Sequence, residues 1–146
     1  ILSSISIEDI RTMLISESKL ITFAILGYFY LLILGSSNEN IQSLYLIMNN
    51  TFSMIIIFCM MYLISFLSYK AFRINSLGMG DVKLSAISVI WLGIELGFIS
   101  ICISFLLSAV YSLPGKLTKR FKKLHQYPFA PFLSIGIFYC WILDKI

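Results

Sequence analysis

The residues in this sequence best equipped for chemistry sit in an apolar setting. Asp81 and Lys83 follow Gly78 and Gly80 in the stretch Leu77-Gly78-Met79-Gly80-Asp81-Val82-Lys83-Leu84, between two long hydrophobic runs. A carboxylate close to a bilayer costs about 2.5–3.5 kcal/mol on insertion scales, which makes such an acid a functional-site candidate. The two glycines allow positive φ or close approach of a neighbouring backbone. A second acid, Asp9, lies in Glu8-Asp9-Ile10-Arg11-Thr12-Met13-Leu14-Ile15-Ser16, where an apolar helix meets water. Two carboxylates brought together hold one proton between them, because like charges a few ångströms apart do not both ionise cheaply. Such a pair serves as base and acid toward an attacking water. The plainer reading of Asp81 is an N-cap closing a glycine-rich turn, with Lys83 reaching to lipid headgroups.

The elements that must position these side chains are membrane helices. At 146 residues, 59% hydrophobic and 12% charged, with a mean hydropathy of +0.93, the chain is too apolar for an average soluble domain. The composition predicts an all-α, polytopic membrane helix bundle of about five to six transmembrane helices, forming a single domain over residues 1–146. The aromatic residues, mostly Phe and Tyr spread through apolar runs, suit lipid-facing surfaces and not a nucleic-acid stacking platform. Cys59, Cys102 and Cys140 stand singly and there is one histidine, His125, so neither a zinc site nor a disulfide framework is indicated. The cysteines read as small buried hydrophobes. Ile1 to Ile7 reads as the tail of a helix whose beginning lies upstream.

In chain order, Leu20 to Leu34 predicts a membrane helix ending in the turn cluster Gly35-Ser36-Ser37-Asn38-Glu39-Asn40. Ile41 to Tyr69 predicts another, with Asn49-Asn50-Thr51 marking a break near the interface. Leu84 to Leu92 is helical in pattern but short, and Asp81, Ser85 and Ser88 share one of its faces. A turn is expected at Gly93 to Gly97. Ser100, Ser104, Ser108 and Ser112 then repeat every four residues, which predicts a close-contact face. Pro114-Gly115 ends that helix, a basic loop runs from Lys116 to Lys123, and Pro128 and Pro131 open a final helix. The basic loops near Arg11 and Lys19, near Lys70 and Lys83, and from Lys116 to Lys123 all fall on one side by alternation. That side is predicted to be cytoplasmic, and it carries both Asp9 and Asp81.

Three of these stretches resemble one family. Gly78, Gly80 and Asp81, followed by Val-Lys-Leu, look like the signature of type IV prepilin peptidases, which are GxGD intramembrane aspartyl proteases. Asp9 occupies the place of that family's first catalytic aspartate. Arg11 and Ile15 keep the pattern, while Ser16 stands where proline is expected, and serine turns or caps by hydrogen bonding instead. Tyr127-Pro128-Phe129-Ala130-Pro131 is similar to the Pro-Phe-x-Pro run that opens the family's last helix.

The resemblance implies catalytic Asp9 and Asp81, supported by Gly78, Gly80, Lys83, Pro128 and Pro131, with no metal and no cofactor. Glu8, beside Asp9, points about 100° away from it on a helix, so only one of the two faces Asp81. The implied substrate is a prepilin or pseudopilin precursor, cut between a basic leader and an apolar helix at the cytoplasmic boundary of a bacterial inner membrane. The implied partners are that precursor and the bilayer, and not nucleic acid. The paired C-x-x-C motifs of many bacterial members do not occur in this sequence, so methyltransferase activity is not expected of it. The competing readings are a non-enzymatic polytopic protein, such as a transporter fragment or assembly subunit, and a degenerate peptidase.

Overall fold

A chain with long apolar stretches satisfies its backbone polar groups within each segment, which favours helices. The computed structural model describes residues 1–36, 40–72, 77–117 and 128–145, and these form five helices with no strand among them. They are α1 (Leu2–Thr12), α2 (Glu17–Ser36), α3 (Asn40–Phe72), α4 (Met79–Leu117) and α5 (Ala130–Leu143). Three of them, α2, α3 and α4, are long and apolar enough to cross a membrane. The centre of the turn cluster at 37–39, Arg73, and the basic residues Lys119, Arg120, Lys122 and Lys123 lie outside the described residues.

The central element is α4, which packs against α2, α3 and α5, while α1 packs against α5. It is broken at Gly93, whose φ of 73° and ψ of 177° no helix accommodates. Only glycine takes such a conformation without a steric penalty. The chain reverses there, and a Cβ on Gly97 would sit 2.7 Å from Val89 Cγ2 and 3.5 Å from Val89 Cα. The two arms, 79–92 and 94–117, therefore lie side by side. The turn expected at Gly93 is present as this single residue, with Gly97 already inside the second arm. That arm continues to Leu117, past Pro114 and Gly115, so these two residues do not end it.

The break frees the last carbonyls of the first arm, which lose their i+4 donors. Asn50 answers this from α3: it is buried, and its Nδ2 donates to the Ile90 carbonyl at 3.3 Å. The Asn49-Asn50-Thr51 interruption therefore does not break α3, which runs straight through it. The Thr51 hydroxyl donates back to the Ile47 carbonyl and also meets the Tyr28 hydroxyl.

The first half of the serine repeat packs as small residues do between membrane helices, while Ser108 and Ser112 are only half-buried. Ser100 and Ser104 are fully buried against α5, where a Cβ on Gly136 would meet the Ser100 carbonyl and Ser104 Oγ at 2.5 Å. Ser85 and Ser88 are equally buried, their hydroxyls bonded to Val82 and Ser85 carbonyls of their own helix. Beyond this core, large apolar side chains such as Ile25, Phe29, Leu63, Phe66, Leu106 and Val110 face outward. Cys140 is buried as expected, but Cys59 and Cys102 are exposed on that outer surface.

Candidate active site

Asp9, on α1, and Asp81, on α4, are brought to one end of the bundle. Asp9 lies in the last turns of α1, 5% exposed, and its Oδ2 accepts the backbone N–H of Ala130 at 3.1 Å. Ala130 is the first residue of α5, and Pro131 follows as a residue without an N–H. The next two donors, on Phe132 and Leu133, both reach the Phe129 carbonyl. Asp9 thus satisfies the one free donor that α5 presents at its start, and it does so at the positive end of the helix dipole. Pro128 and Pro131 flank this contact.

Asp81, 8% exposed, sits in the first turn of α4. It is not an N-cap, because the helix has already begun at Met79 and the Asp81 N–H is itself bonded to the Gly78 carbonyl at 3.1 Å. Its carboxylate instead turns back toward Gly78. A Cβ on Gly78 would lie 3.2 Å from Asp81 Oδ2. The other oxygen, Oδ1, is buried and has no hydrogen-bond partner among the described residues. Asp9 and Asp81 are close enough to act on each other electrostatically.

The two glycines serve close approach and not positive φ, since Gly93 is the only glycine with positive φ among the described residues. A Cβ on Gly80 would come within 3.0 Å of Ile15 Cβ and Cδ1. Through that contact the loop between α1 and α2 rests on the start of α4. The loop itself is turned by Met13, in the left-handed region at φ 53°. Ser16 holds the position immediately before α2, where its carbonyl accepts the Leu20 N–H, and its own N–H donates to Glu8 Oε2 at 3.3 Å.

Glu8 is engaged by this loop, with a salt bridge to Lys19 at 3.2 Å in addition to Ser16. Of the two neighbouring acids it is Asp9 that faces α5 and Asp81. Lys83 pairs with Glu17 of α2 in place of a headgroup. Residue spacing alone did not reveal Ala130 as a partner of Asp9. The signal available was the pair of prolines, which leaves few N–H groups at the start of α5.

With this geometry in view, the comparisons with known proteins carry weight. Residues 1–113 match the type IV leader peptidase family, and the chain belongs to that family of membrane peptidases. A search of curated proteins and a search of solved structures each returned no match. The family match covers both aspartates and ends within α4, so α5, which supplies the Ala130 N–H, lies beyond it.

Proposed function

We propose that this chain is an intramembrane aspartic endopeptidase in which Asp9 and Asp81 form the catalytic pair. The observation that carries the reading is the arrangement of the two carboxylates. Asp9 is buried against the N-terminus of α5 with one oxygen held by a backbone N–H, Asp81 is buried in the first turn of α4, and Asp81 Oδ1 has no partner among the described residues. That is an orientation suited to a bound water or a substrate carbonyl and wasteful in a purely structural acid, because an unpaired buried polar atom costs about 1–3 kcal/mol.

The mechanism follows from one proton shared by two acids. The ionised carboxylate takes a proton from a water held between them as that water attacks the scissile carbonyl. The protonated partner donates to the carbonyl oxygen, and the carboxyl that took the water's proton then passes it to the leaving amine. Gly78, Gly80 and Ile15 fix the height of Asp81, Pro128 and Pro131 shape the α5 terminus that orients Asp9, and Lys83 ties α4 to α2.

The substrate in this reading is a type IV pilin-like precursor with a short basic leader and an apolar helix. Placement of the pair on the cytoplasmic side rests on the excess of Lys and Arg in the loops at that end. The test is cleavage of a model prepilin by membranes carrying wild type, Asp9→Asn or Asp81→Asn. Loss of cleavage in both variants supports the pair. Half-retained activity in either variant, or a well-inserted wild type that cuts nothing, overturns it.

A further inference from the structure

On the side of α4 away from Asp81, a cavity of about 460 Å³ lies between α2, α3 and the first arm. Its walls are apolar, with Ile21, Phe58 and Ile87 around a floor that includes Ala24 and Ala86, and only one end is charged, by Glu17 and Lys83. From Glu17 to Tyr28 it follows α2 for about 16 Å, at 1.5 Å per residue. That is about half the hydrocarbon core of a bilayer.

We infer that this groove docks the apolar helix of the substrate, with Glu17 receiving a cation of its leader; the inference rests on the peptidase reading above. Three features favour a helix with a basic leader as the occupant. Alanines in the floor allow a backbone to approach closely, which is how membrane helices associate. The groove offers its apolar slot and its carboxylate in the order in which such a substrate carries helix and charge. Glu17 is three-quarters exposed, with 75% of its side chain accessible, and an exposed ion pair holds weakly, so an incoming Lys or Arg can replace Lys83 as its partner.

The groove mouth and the carboxylate are also at one level. Lys83 follows Asp81 by two residues, about 3 Å of helix rise and about 200° of rotation. A chain leaving the groove must cross the N-terminus of α4 to reach Asp81, and Gly78, which is exposed, puts no side chain on that route. Crossing a helix about 10 Å wide takes about three extended residues, which sets the offset between the docked helix and the scissile bond.

The experiment compares two model substrates, a leader joined to an apolar helix of spanning length and the same leader and cleavage site without the helix. In Ala24→Trp, which fills the groove, the advantage of the long substrate over the short one shrinks about tenfold, through KM and not kcat. Val110→Trp, on the outer surface of α4, leaves that advantage intact. Because a bulky residue could perturb insertion, a photo-crosslinking amino acid at Ile21 in the Asp81→Asn background provides an independent reading. Capture of the long substrate supports the groove. Capture of lipid or of a second copy alone overturns it, as does an unchanged substrate preference in Ala24→Trp. Should wild type cut neither substrate, the peptidase reading fails and the inference with it; should wild type cut both while Ala24→Trp behaves like wild type, only the groove fails.

Discussion

The two ends of the bundle are built on opposite rules. At the end holding Gly93, polar groups are tied off: Asn50 closes on the Ile90 carbonyl, the Trp91 indole N–H donates to the Phe23 carbonyl, and Lys145 bonds the Tyr30 hydroxyl. Trp91 stacks between Phe23 and Tyr30, with ring centroids 5.3 and 5.4 Å away. At the other end two acids are buried, and Asp81 Oδ1 has no hydrogen-bond partner among the described residues. The first arrangement favours stability, and the second forgoes some of it, which is what the proposed catalytic pair would require. Mutations at the two ends should therefore separate activity from stability.

The largest effects belong to the acids. Asp81→Asn and Asp9→Asn should each lower cleavage by about 10²–10⁴-fold, and the double variant should be no worse than the poorer single one, because the two act as a unit. Both should insert and fold, as judged by thermal melting in detergent; a large loss of stability in Asp81→Asn would make that residue structural and erase the contrast.

Next comes Gly80→Ala, whose new Cβ meets Ile15 at 3.0 Å. Activity should fall about tenfold, roughly 1.4 kcal/mol of transition-state stabilisation, with melting nearly unchanged, and Ile15→Ala should restore it in the double variant. At the opposite end Gly27→Val drives a side chain into Trp91 Nε1, 2.8 Å from the Cβ position, and should cost about 1–3 kcal/mol of stability with little change in kcat. Asn50→Leu should cost about 0.6–1.7 kcal/mol, the range for hydrogen bonds between membrane helices.

The smallest effect is at Lys145. Its hydrogen bond to Tyr30, followed by that to Asp144, holds the ammonium above the ordinary lysine range. A raised folded-state pKa means the contribution is complete below the unfolded-state value and is lost as pH rises through the folded one. Lys145→Met should therefore match wild type in its pH dependence until pH exceeds about 10.4, and the difference at neutral pH should stay under about 1 kcal/mol because the pair is exposed.

Helix content was legible in the sequence because apolar composition decides it almost alone. The stretch around Asp81 stood out for a different reason, since an acid between glycines and apolar runs is costly to bury. What escaped was tertiary in origin. Asn50 looked like a break because asparagine disfavours helix interiors, yet its amide is needed by a carbonyl forty residues away. Gly78 and Gly80 allowed either positive φ or close contact, and only the position of Ile15 decides between them. The Ala130 N–H is invisible in any reading of side chains, because what holds Asp9 is a backbone group left over by the prolines around it.

Gly93 also governs direction. Were α4 a single straight rod of 39 residues, its end would lie far along the bundle from Asp81, and the start of α5 could not reach Asp9 beside it. One residue in a conformation that others avoid brings the second arm of α4 back along the first. The two halves of the proposed catalytic pair meet at one end of the bundle because the chain turns round at that glycine.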